Sequence, residues 1–509
     1  MNSKILLISP KLNHEISIRV PAILQENLGI GYLASFLEPR GITADIVDLN
    51  QQNLGPEQLI SIASNPEYLI IGVSVHSPYD LEEAINFATK FKKVGVKAHI
   101  TLGGHYATRK DIEALSSSNV IDSIVRGEGE ITLQELYSRL NESASLKDID
   151  GISFKSNREI IKNKNRFPIT DLDILPFPKR YNLDNLLGAK QRPVHMLTSR
   201  GCPGGCSFCV APLNKSWRTR SADNVLEEIK ELYSNGLRTF VFDDDNYLGH
   251  SIKGKERALK IAEGLINSDL RINYQVSLRV DDLDDILLKK FADSGVSRMR
   301  VGIESFNQRQ LDSYNKRTNS EQVIEIMQKI IDSGIEPHFS FITFDPYVSL
   351  NELEKTVHSM RRFANNIHFR YVTAPLDPIE ESVIWKHLKQ ENLLIKNGDK
   401  YSFKFIDSDS GVVWDYIRSF KEYMIDVENE YHKLDQKIAL FEYNKDTDEL
   451  LKLKKVKKEV DLRMTMGWLD ILQYSIESVK GTRSYWLTSI PDEIKQKHDE
   501  LAGLIAQNN

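Results

Sequence analysis

The sequence predicts an α/β protein in which two regions of alternating strands and helices are followed by a helical region. Strand-length apolar runs alternate with amphipathic segments over about residues 1–145 and again over about residues 193–398. Residues 399–509 instead repeat their apolar positions at helical spacing. We interpret residues 146–192 as a linker with a small hairpin at its start, because the prolines that follow exclude a regular helix or a central strand.

The first region contains strand-like runs at 4–9, 44–49, 68–75, 98–102 and 121–125, with helical segments between them. The run at 68–75 is continuous and apolar, as expected of a parallel strand that is covered on both faces. This alternation predicts a doubly wound, Rossmann-like parallel sheet. A ligand of such a sheet is expected outside the carboxyl ends of the strands.

Small residues follow several of these strands, namely Ser74, Gly103, Gly104, Gly127 and Gly129. Glycine leaves room for a large flat ligand to approach the backbone. Tight turns between strands and helices also require glycine, so a ligand site and a purely structural role are both open on this evidence.

The second region has predicted strands at 194–199, 239–243, 273–279, 298–303, 338–344 and 368–373, each paired with a helical segment. This pattern predicts an open, partial (β/α)6 barrel of the TIM type, with its chemistry at the carboxyl ends of the strands. Polar residues at those ends include Asp244, Asp245, Ser277, Arg279 and Glu304. They are expected to converge on one mouth, although acidic residues after strands also cap helices.

All three cysteines of the chain, Cys202, Cys206 and Cys209, lie in the loop after the first strand of this region. Three thiolates are one short of a closed zinc site. They suit a [4Fe–4S] cluster in which one iron is left open for a ligand, and we favour this interpretation. The alternatives are a zinc site completed by a distant histidine and a disulfide beside a third thiol, although an odd count fits a disulfide framework poorly.

Composition argues against several classes of partner. Apolar residues make up 41% of the chain, charged residues 27%, and the net charge is −6. This balance gives no bulk attraction to nucleic acid or to a membrane surface. The apolar run at the N-terminus is too short for a signal peptide, and we find no run long enough to span a bilayer. We therefore expect a cytoplasmic protein with no membrane or nucleic-acid partner.

Three motifs of the first region, Leu-Gly-Ile-Gly-Tyr-Leu-Ala, Thr-Leu-Gly-Gly-His-Tyr-Ala-Thr and Ile-Val-Arg-Gly-Glu-Gly-Glu, resemble the cobalamin-binding domain that precedes many radical S-adenosylmethionine (SAM) enzymes. The Asp-x-His-x-x-Gly signature of other B12 proteins is missing, and we interpret His14 as a solvated loop residue. The resemblance thus implies cobalamin bound without a histidine from that signature. Its expected contacts are Ser74, Val75, His76, Gly103, Gly104, His105, Gly127, Glu128 and Gly129.

The second region resembles the radical SAM superfamily, in its Cys-x3-Cys-x2-Cys loop and in its Gly-Ile-Glu-Ser strand end at 302–305. By this resemblance the three cysteines hold a [4Fe–4S] cluster, and SAM chelates the open iron. The acidic run near Asp244 and Asp245 would receive the SAM amino group. The residues expected to contact SAM are Phe208, Asp244, Asp245, Ser277, Arg279 and Glu304.

The resemblance also implies a reaction. The reduced cluster donates an electron to SAM, and the resulting 5′-deoxyadenosyl radical abstracts hydrogen from a carbon. In one branch of the family cobalamin then supplies a methyl group. We predict C-methylation of a small-molecule or peptide substrate, with an external one-electron reductant of the flavodoxin or ferredoxin type. The alternatives are rearrangement, cyclisation or oxidation without methyl transfer, and a cobalamin- or redox-sensing protein. The C-terminal region is expected to help determine the substrate, with Trp468 and Trp486 packed against the barrel.

Overall fold

The computed structural model describes residues 3–11, 26–157, 159–181, 193–210, 216–398, 400–444, 447–481 and 492–508. The chain forms two compact units, Met1–Gly188 and Ala189–Asn509. The finer predicted division, with boundaries after residues 145, 192 and 398, stays a prediction. No helix within the described ranges is long and apolar enough to cross a membrane.

The first unit is built on a seven-stranded sheet of order β2-β1-β3-β4-β5-β6-β7. Its strands are β1 (Lys4–Ser9), β2 (Ala44–Asp48), β3 (Tyr68–Ser74), β4 (His99–Gly103), β5 (Ser123–Val125), β6 (Ile152–Ser156) and β7 (Glu159–Lys162). Its helices are α1 (Leu28–Leu37), α2 (Pro56–Ala63), α3 (Pro78–Lys93), α4 (His105–Arg109), α5 (Asp111–Ser117) and α6 (Gly129–Asn141). The pairings among β1 to β5 are parallel, which confirms the predicted Rossmann-like sheet.

Buried apolar side chains on both faces of β1 and β3 explain why these runs are continuous in the sequence. Leu6 and Ile71 belong to one core cluster, and Ile5 and Ile70 belong to the other. The predicted hairpin forms as β6 and β7, but its strands extend the sheet of the first unit by antiparallel pairing. Residues assigned to the linker thus contribute to this core, where Ile152 is fully buried.

The second unit contains a five-stranded parallel sheet of order β14-β13-β12-β11-β8. The strands of this unit are β8 (Val194–Met196), β9 (Ser199–Arg200), β10 (Arg218–Thr219), β11 (Thr239–Phe242), β12 (Asn273–Arg279), β13 (Val296–Glu304), β14 (Glu336–Phe341), β15 (Leu394–Asn397) and β16 (Lys400–Phe403). Its helices up to residue 390 are α7 (Ala222–Ser234), α8 (Ile252–Ile266), α9 (Asp285–Ser294), α10 (Gln308–Ser313), α11 (Ser320–Asp332), α12 (Leu350–Arg362) and α13 (Val383–Gln390). The alternation of parallel strands and helices confirms the predicted fold class.

The two faces of this sheet differ in character. Side chains such as Val276, Met299 and Val301 are fully buried on the face under the helices. The opposite face carries Ser277, Arg298, Arg300, His338 and Ser340, which alternate with those apolar residues. We call this second surface the polar face of the barrel sheet.

The sixth predicted strand, at 368–373, is wrong, because this segment contains a 3-10 turn at Phe369–Tyr371. The ring of His368 caps the turn by accepting a hydrogen bond from the Arg370 amide at 3.3 Å. Its other nitrogen lies 3.2 Å from the Tyr431 hydroxyl. The segment is therefore held partly by the C-terminal helices. It also contacts the sheet through Tyr371, whose hydroxyl lies 2.9 Å from His338 Nε2, and just after the segment Pro375 forms an isolated bridge with Phe344.

The C-terminal region is helical, as predicted, after the β15–β16 hairpin. Its helices are α14 (Ser408–Tyr423), α15 (Ile425–Asn444), α16 (Thr447–Val479) and α17 (Asp492–Ala506). Trp468 is 1% exposed and therefore packs in the interior, as expected. Trp486 lies outside the described residues, as does His14.

Candidate functional site

The cysteine loop follows β9 at the carboxyl edge of the barrel sheet. Gly201 and Gly205 have φ angles of 90° and 64°, which residues with a side chain rarely adopt. The segment after α10 anchors the loop: Asn315 Nδ2 donates to the Gly205 carbonyl at 3.0 Å, and Ser207 Oγ donates to the Ser313 carbonyl at 2.7 Å. Local backbone chemistry and a distant segment together fix the loop.

Two of the three thiols each lie near a hydrogen-bond donor. Arg279 Nη1 lies 2.9 Å from Cys206 Sγ, and the Gly204 amide lies 3.4 Å from Cys202 Sγ. A Cβ on Gly204 would lie 2.9 Å from Arg279 Nη1, so glycine at this position allows the guanidinium to approach. Burial raises the pKa of the Cys202 thiol. A thiolate here therefore needs a compensating positive charge, which bound iron supplies.

The spacing of the cysteine sulfurs distinguishes between a zinc site and an iron–sulfur cluster. Among the described residues, the one set of three potential ligand atoms within 4.8 Å of one another is His250, Asp281 and Asp282. At least one pair of the three cysteine sulfurs is therefore more than 4.8 Å apart. Tetrahedral zinc with Zn–S bonds of about 2.3 Å would need sulfurs only ~3.8 Å apart. The donor set thus fits a larger inorganic cluster better than a single zinc ion.

Arg279 connects the cysteine loop to two other parts of the site. Its Nε donates to Asp281 Oδ1 at 2.9 Å, and its Nη2 donates to the Lys316 carbonyl at 2.6 Å. Burial opposes its charge, but Asp281 and the nearby Cys206 raise its pKa above the ordinary value. The guanidinium therefore stays charged beside the sulfur.

The three aspartates after β11, at positions 243–245, have different surroundings. Asp244 is 4% exposed and accepts hydrogen bonds from the amides of Thr198 and Ser199 at 2.7 and 2.8 Å. Asp243 Oδ2 lies 2.6 Å from His195 Nδ1. Asp245 is exposed, and its charge acts on Cys202. Asp244 thus positions the strand that leads into the cysteine loop, while Asp245 is accessible to a ligand.

Glu304 ends β13 in a left-handed conformation, with φ at 69°. Its Oε1 lies 3.2 Å from Lys316 Nζ, and its Oε2 accepts from Ser340 Oγ at 3.3 Å. Lys316 is 2% exposed and was missed by the sequence analysis. Its neighbours Asn315 and Arg317 also have positive φ angles, which makes this a strained segment of the kind found at functional sites.

The two remaining residues predicted to contact SAM lie nearby. The Phe208 ring packs edge-on against Tyr314, with centroids 5.5 Å apart. Ser277 lies on the polar face, and its carbonyl accepts from the Tyr247 amide at 2.9 Å. The structure thus links Arg279, Cys206, Lys316 and Glu304 through direct contacts, and the roles assigned to all these residues stay predictions.

In the first unit, a hydrogen-bonded polar cluster lies at the carboxyl ends of β1 and β3. Asn27 Nδ2 lies 3.2 Å from Ser9 Oγ and 3.1 Å from Ser74 Oγ. Ser74 Oγ lies 2.8 Å from His76 Nε2, and the rings of His76 and His105 are 5.8 Å apart. The sequence signal for Asn27 is its place before α1, which it caps by accepting from the Ile30 amide.

Tyr181, after the last predicted linker proline, completes this cluster. Its hydroxyl donates to Asp48 Oδ2 at 2.8 Å and accepts from the Asn27 amide at 2.7 Å. Burial raises the pKa of Asp48. Neither Tyr181 nor Asp48 was selected from the sequence, because only the fold brings residues this far apart in the chain together.

The glycines at this edge serve different purposes. A Cβ on Gly104 would lie 2.6 Å from the Val75 carbonyl oxygen, so this glycine allows two turns to pack together. Gly127 has a φ of 72°, and an added Cβ would meet nothing within 4 Å. Glu128 accepts a hydrogen bond from the Ile169 amide at 2.8 Å. The space beside Gly127 is therefore open, which is compatible with a flat macrocycle such as cobalamin, and the individual contacts stay predictions.

Known protein families match both the first and the second unit of the chain. The B12 binding domain family matches residues 18–137, and the Radical SAM superfamily matches residues 196–360. The chain is 29% identical over 413 residues to an uncharacterized methyltransferase of Pyrococcus horikoshii, covering 78% of this chain and 86% of that protein. It is 27% identical over 358 residues to the anaerobic magnesium-protoporphyrin IX monomethyl ester cyclase of Rubrivivax gelatinosus, covering 65% of this chain and 61% of the cyclase.

The fold is similar to that of the cobalamin-dependent S-adenosylmethionine radical enzyme OxsB solved with aqua-cobalamin. The TM-score is 0.76 at 17% identity, over 99% of this chain and 84% of the other. A radical SAM domain implies a [4Fe–4S] cluster and SAM, and a B12 binding domain implies cobalamin. This chain is therefore a cobalamin-dependent radical SAM enzyme, in which a B12 binding domain precedes the radical SAM domain.

Proposed function

We propose that this enzyme replaces a hydrogen on an unactivated carbon of a small-molecule or peptide substrate by a methyl group. The observation that carries the proposal is the cysteine loop, whose three thiols provide all the cysteine sulfur of the chain. Arg279 lies against one of these sulfurs, and Asp245 is exposed beside another. The P. horikoshii relative named a methyltransferase supports methyl transfer as the outcome.

Each group has a definite task in this proposal. Cys202, Cys206 and Cys209 would hold the cluster and leave one iron for SAM. Asp245 would accept hydrogen bonds from the SAM amino group, and Arg279 would keep a positive charge beside the Cys206 thiolate. When bound, the cluster and SAM generate a substrate radical, and cobalamin supplies the methyl group.

The overall reaction balances in atoms and electrons. One SAM accepts an electron and ends as methionine and 5′-deoxyadenosine, which carries the hydrogen removed from the substrate. A second SAM provides the methyl group and ends as S-adenosylhomocysteine. The overall conversion would therefore consume two SAM molecules and two electrons. Both electrons would come from an external one-electron reductant of the flavodoxin or ferredoxin type.

A second candidate is ring closure or oxidation without methyl transfer. The observation that favours it is the R. gelatinosus relative, which is named a cyclase. In that case SAM would be consumed only by reductive cleavage, and the enzyme would release no S-adenosylhomocysteine.

These two functions differ in their products even before a substrate is identified. The full chain would be reconstituted anaerobically with iron, sulfide and cobalamin, and incubated with SAM and reduced flavodoxin. Without substrate, cleavage of SAM would draw the hydrogen of 5′-deoxyadenosine from the protein or the buffer, so a methyltransferase still releases 5′-deoxyadenosine, together with cobalamin-dependent S-adenosylhomocysteine. Release of 5′-deoxyadenosine alone would reject methyl transfer and favour the second candidate. Absence of both products would reject radical SAM catalysis by this chain.

A further inference from the structure

Arg300 is an unusual cation on the polar face of the barrel sheet. It lies near the middle of β13, in register with Ser277 on β12 and with His338 on β14. Its side chain is exposed, so a ligand in solution can reach it. Within the described ranges Arg300 makes no hydrogen bond or ion pair.

The other charged or ionisable side chains described on or beside this face have partners. Arg298 Nη2 lies 2.6 Å from Glu336 Oε1, and Lys316 neutralises Glu304. His195 Nδ1 lies 2.6 Å from Asp243 Oδ2. Arg300 therefore contributes a positive charge that its own surroundings do not balance.

Neutral hydrogen-bonding groups surround this cation. His338 Nε2 lies 2.9 Å from the Tyr371 hydroxyl. Burial, with Arg300 and Arg298 nearby, lowers the pKa of His338 to about 4. His338 is thus neutral at physiological pH and leaves Arg300 as the charge to be matched. A guanidinium beside a hydroxyl and an imidazole suits the planar oxygens of a carboxylate or phosphate.

We infer that the substrate carries a carboxylate or phosphate, which binds Arg300 on the polar face of the barrel sheet. Arg300 lies four residues before Glu304, or about 13 Å along the strand at ~3.3 Å per residue. The anionic group would therefore lie deeper in the barrel than Glu304, and beside Ser277, which is in register with Arg300 and is also expected to contact SAM. This inference rests on the proposed function in taking the bound anion to be part of the substrate of the radical reaction.

The test uses the reconstituted full chain and measures binding calorimetrically in the presence of SAM. The probes are phenyl phosphate, phenylacetate and the neutral benzyl alcohol. Arg300→Gln removes the charge, Arg300→Lys retains it without the forked geometry, and Arg298→Gln is the matched control on the same strand and face. Binding of SAM alone is measured for each variant.

We expect the wild type to bind phenyl phosphate or phenylacetate, and the preferred probe identifies the anion. Arg300→Gln should weaken that binding about tenfold or more, the loss expected for a charge-assisted hydrogen-bonded pair. Arg300→Lys should give an intermediate value, and Arg298→Gln should stay within about twofold because Glu336 already balances its charge. Benzyl alcohol should not distinguish the variants.

Three outcomes would overturn the inference: no binding of either anion by the wild type, equal binding by Arg300→Gln and the wild type, or loss of SAM affinity in Arg300→Gln. The last would assign Arg300 to SAM. Failure of the proposed function is separable, because release of 5′-deoxyadenosine and of S-adenosylhomocysteine is measured without any probe. If both products are released and no anion binds, the inference fails and the proposed function stands.

Discussion

The two candidate cofactor sites lie at equivalent edges of two parallel sheets, yet they are built from different chemistry. In the first unit the edge consists of glycines and a hydrogen-bonded cluster of mostly uncharged side chains, centred on Asn27 and Ser74 and completed by Tyr181 and Asp48. In the second unit it consists of thiols and charged side chains, centred on Arg279 and the Glu304–Lys316 pair. A large macrocycle needs space and backbone access, whereas a cluster and a sulfonium compound need fixed charges.

This difference also determines how strongly a single substitution disturbs each site. Removing a partner from a buried charged network leaves an uncompensated charge, which is costly. Adding a methyl group at a glycine edge causes strain and occupies space, which costs less. The second unit should therefore be the more sensitive to single substitutions.

The largest expected effect is at the cysteine loop. Cys206→Ala should abolish cluster assembly and SAM cleavage, because it removes one of three ligands and the sulfur that faces Arg279. Cobalamin uptake by the first unit should be unchanged. The nearly isosteric Cys206→Ser should behave in the same way, which would exclude lost packing as the cause. Iron content, visible absorption and 5′-deoxyadenosine release are the measurements, and SAM cleavage by either variant would contradict the assignment.

The next effect is at Lys316. Lys316→Met should destabilise the fold by about 3–5 kcal/mol, because it leaves the buried Glu304 carboxylate without its partner. The double variant Lys316→Met with Glu304→Gln should recover much of this loss. Denaturant unfolding measures both, and the exposed Lys355→Met on α12 serves as the control. Equal stability of the Lys316 and Lys355 variants would show that the pair does not stabilise the site.

A smaller loss of stability is expected at Gly104 in the first unit. Gly104→Ala forces a side chain into a φ of 99° and brings its Cβ to 2.6 Å from the Val75 carbonyl oxygen. Left-handed strain alone costs about 1–3 kcal/mol, and the close contact adds to it. Thermal unfolding without cobalamin is the measurement. A wild-type midpoint would mean that these two turns can separate freely.

Gly127 and Gly41 form a matched pair for cobalamin binding. Their φ angles are 72° and 73°, and an added Cβ meets nothing within 4 Å at either position. Alanine should therefore strain both equally, but only Gly127 lies at the predicted corrin-binding edge. We expect Gly127→Ala to weaken cobalamin binding severalfold, and Gly41→Ala to leave it unchanged. Equal affinities in a spectroscopic titration would remove Gly127 from the site.

The last effect is absent at neutral pH and is a shared sensitivity to acid. Burial lowers the pKa of His99 in the first unit and of His338 in the second to about 4. Both are neutral when folded but take up protons near pH ~6.5 when unfolded. Stability should therefore be fully present above about pH 6.5 and fall as the pH decreases towards about 4. In unfolding midpoints measured across this pH range, His99→Gln and His338→Gln should each make the loss of stability with falling pH less steep. An unchanged pH dependence would reject the lowered histidine pKa values.

The sequence allowed prediction of features that depend on local pattern. The parallel strands, the cysteine loop and the polar strand ends follow from periodicity and spacing. The roles within the acidic run did not, because adjacent aspartates look alike until Thr198 and Ser199 are seen to bind Asp244. Lys316 and Tyr181 were missed because their partners are distant in the chain.

The wrong strand at 368–373 has a related cause. Its residues have the composition of a strand, but a histidine cap and contacts with a C-terminal helix hold it as a turn. The local sequence pattern does not reveal Tyr431, the partner of His368, which lies 63 positions further along the chain. Long-range contacts thus decide the details that periodicity leaves open.

The central claim is that three thiols hold a [4Fe–4S] cluster with one iron open to SAM. Electron paramagnetic resonance of the anaerobically reconstituted and reduced protein tests it directly, with and without SAM. We predict the signal of a reduced [4Fe–4S] cluster whose shape changes when SAM is added. No cluster signal, or a signal that SAM leaves unaltered, would contradict the account.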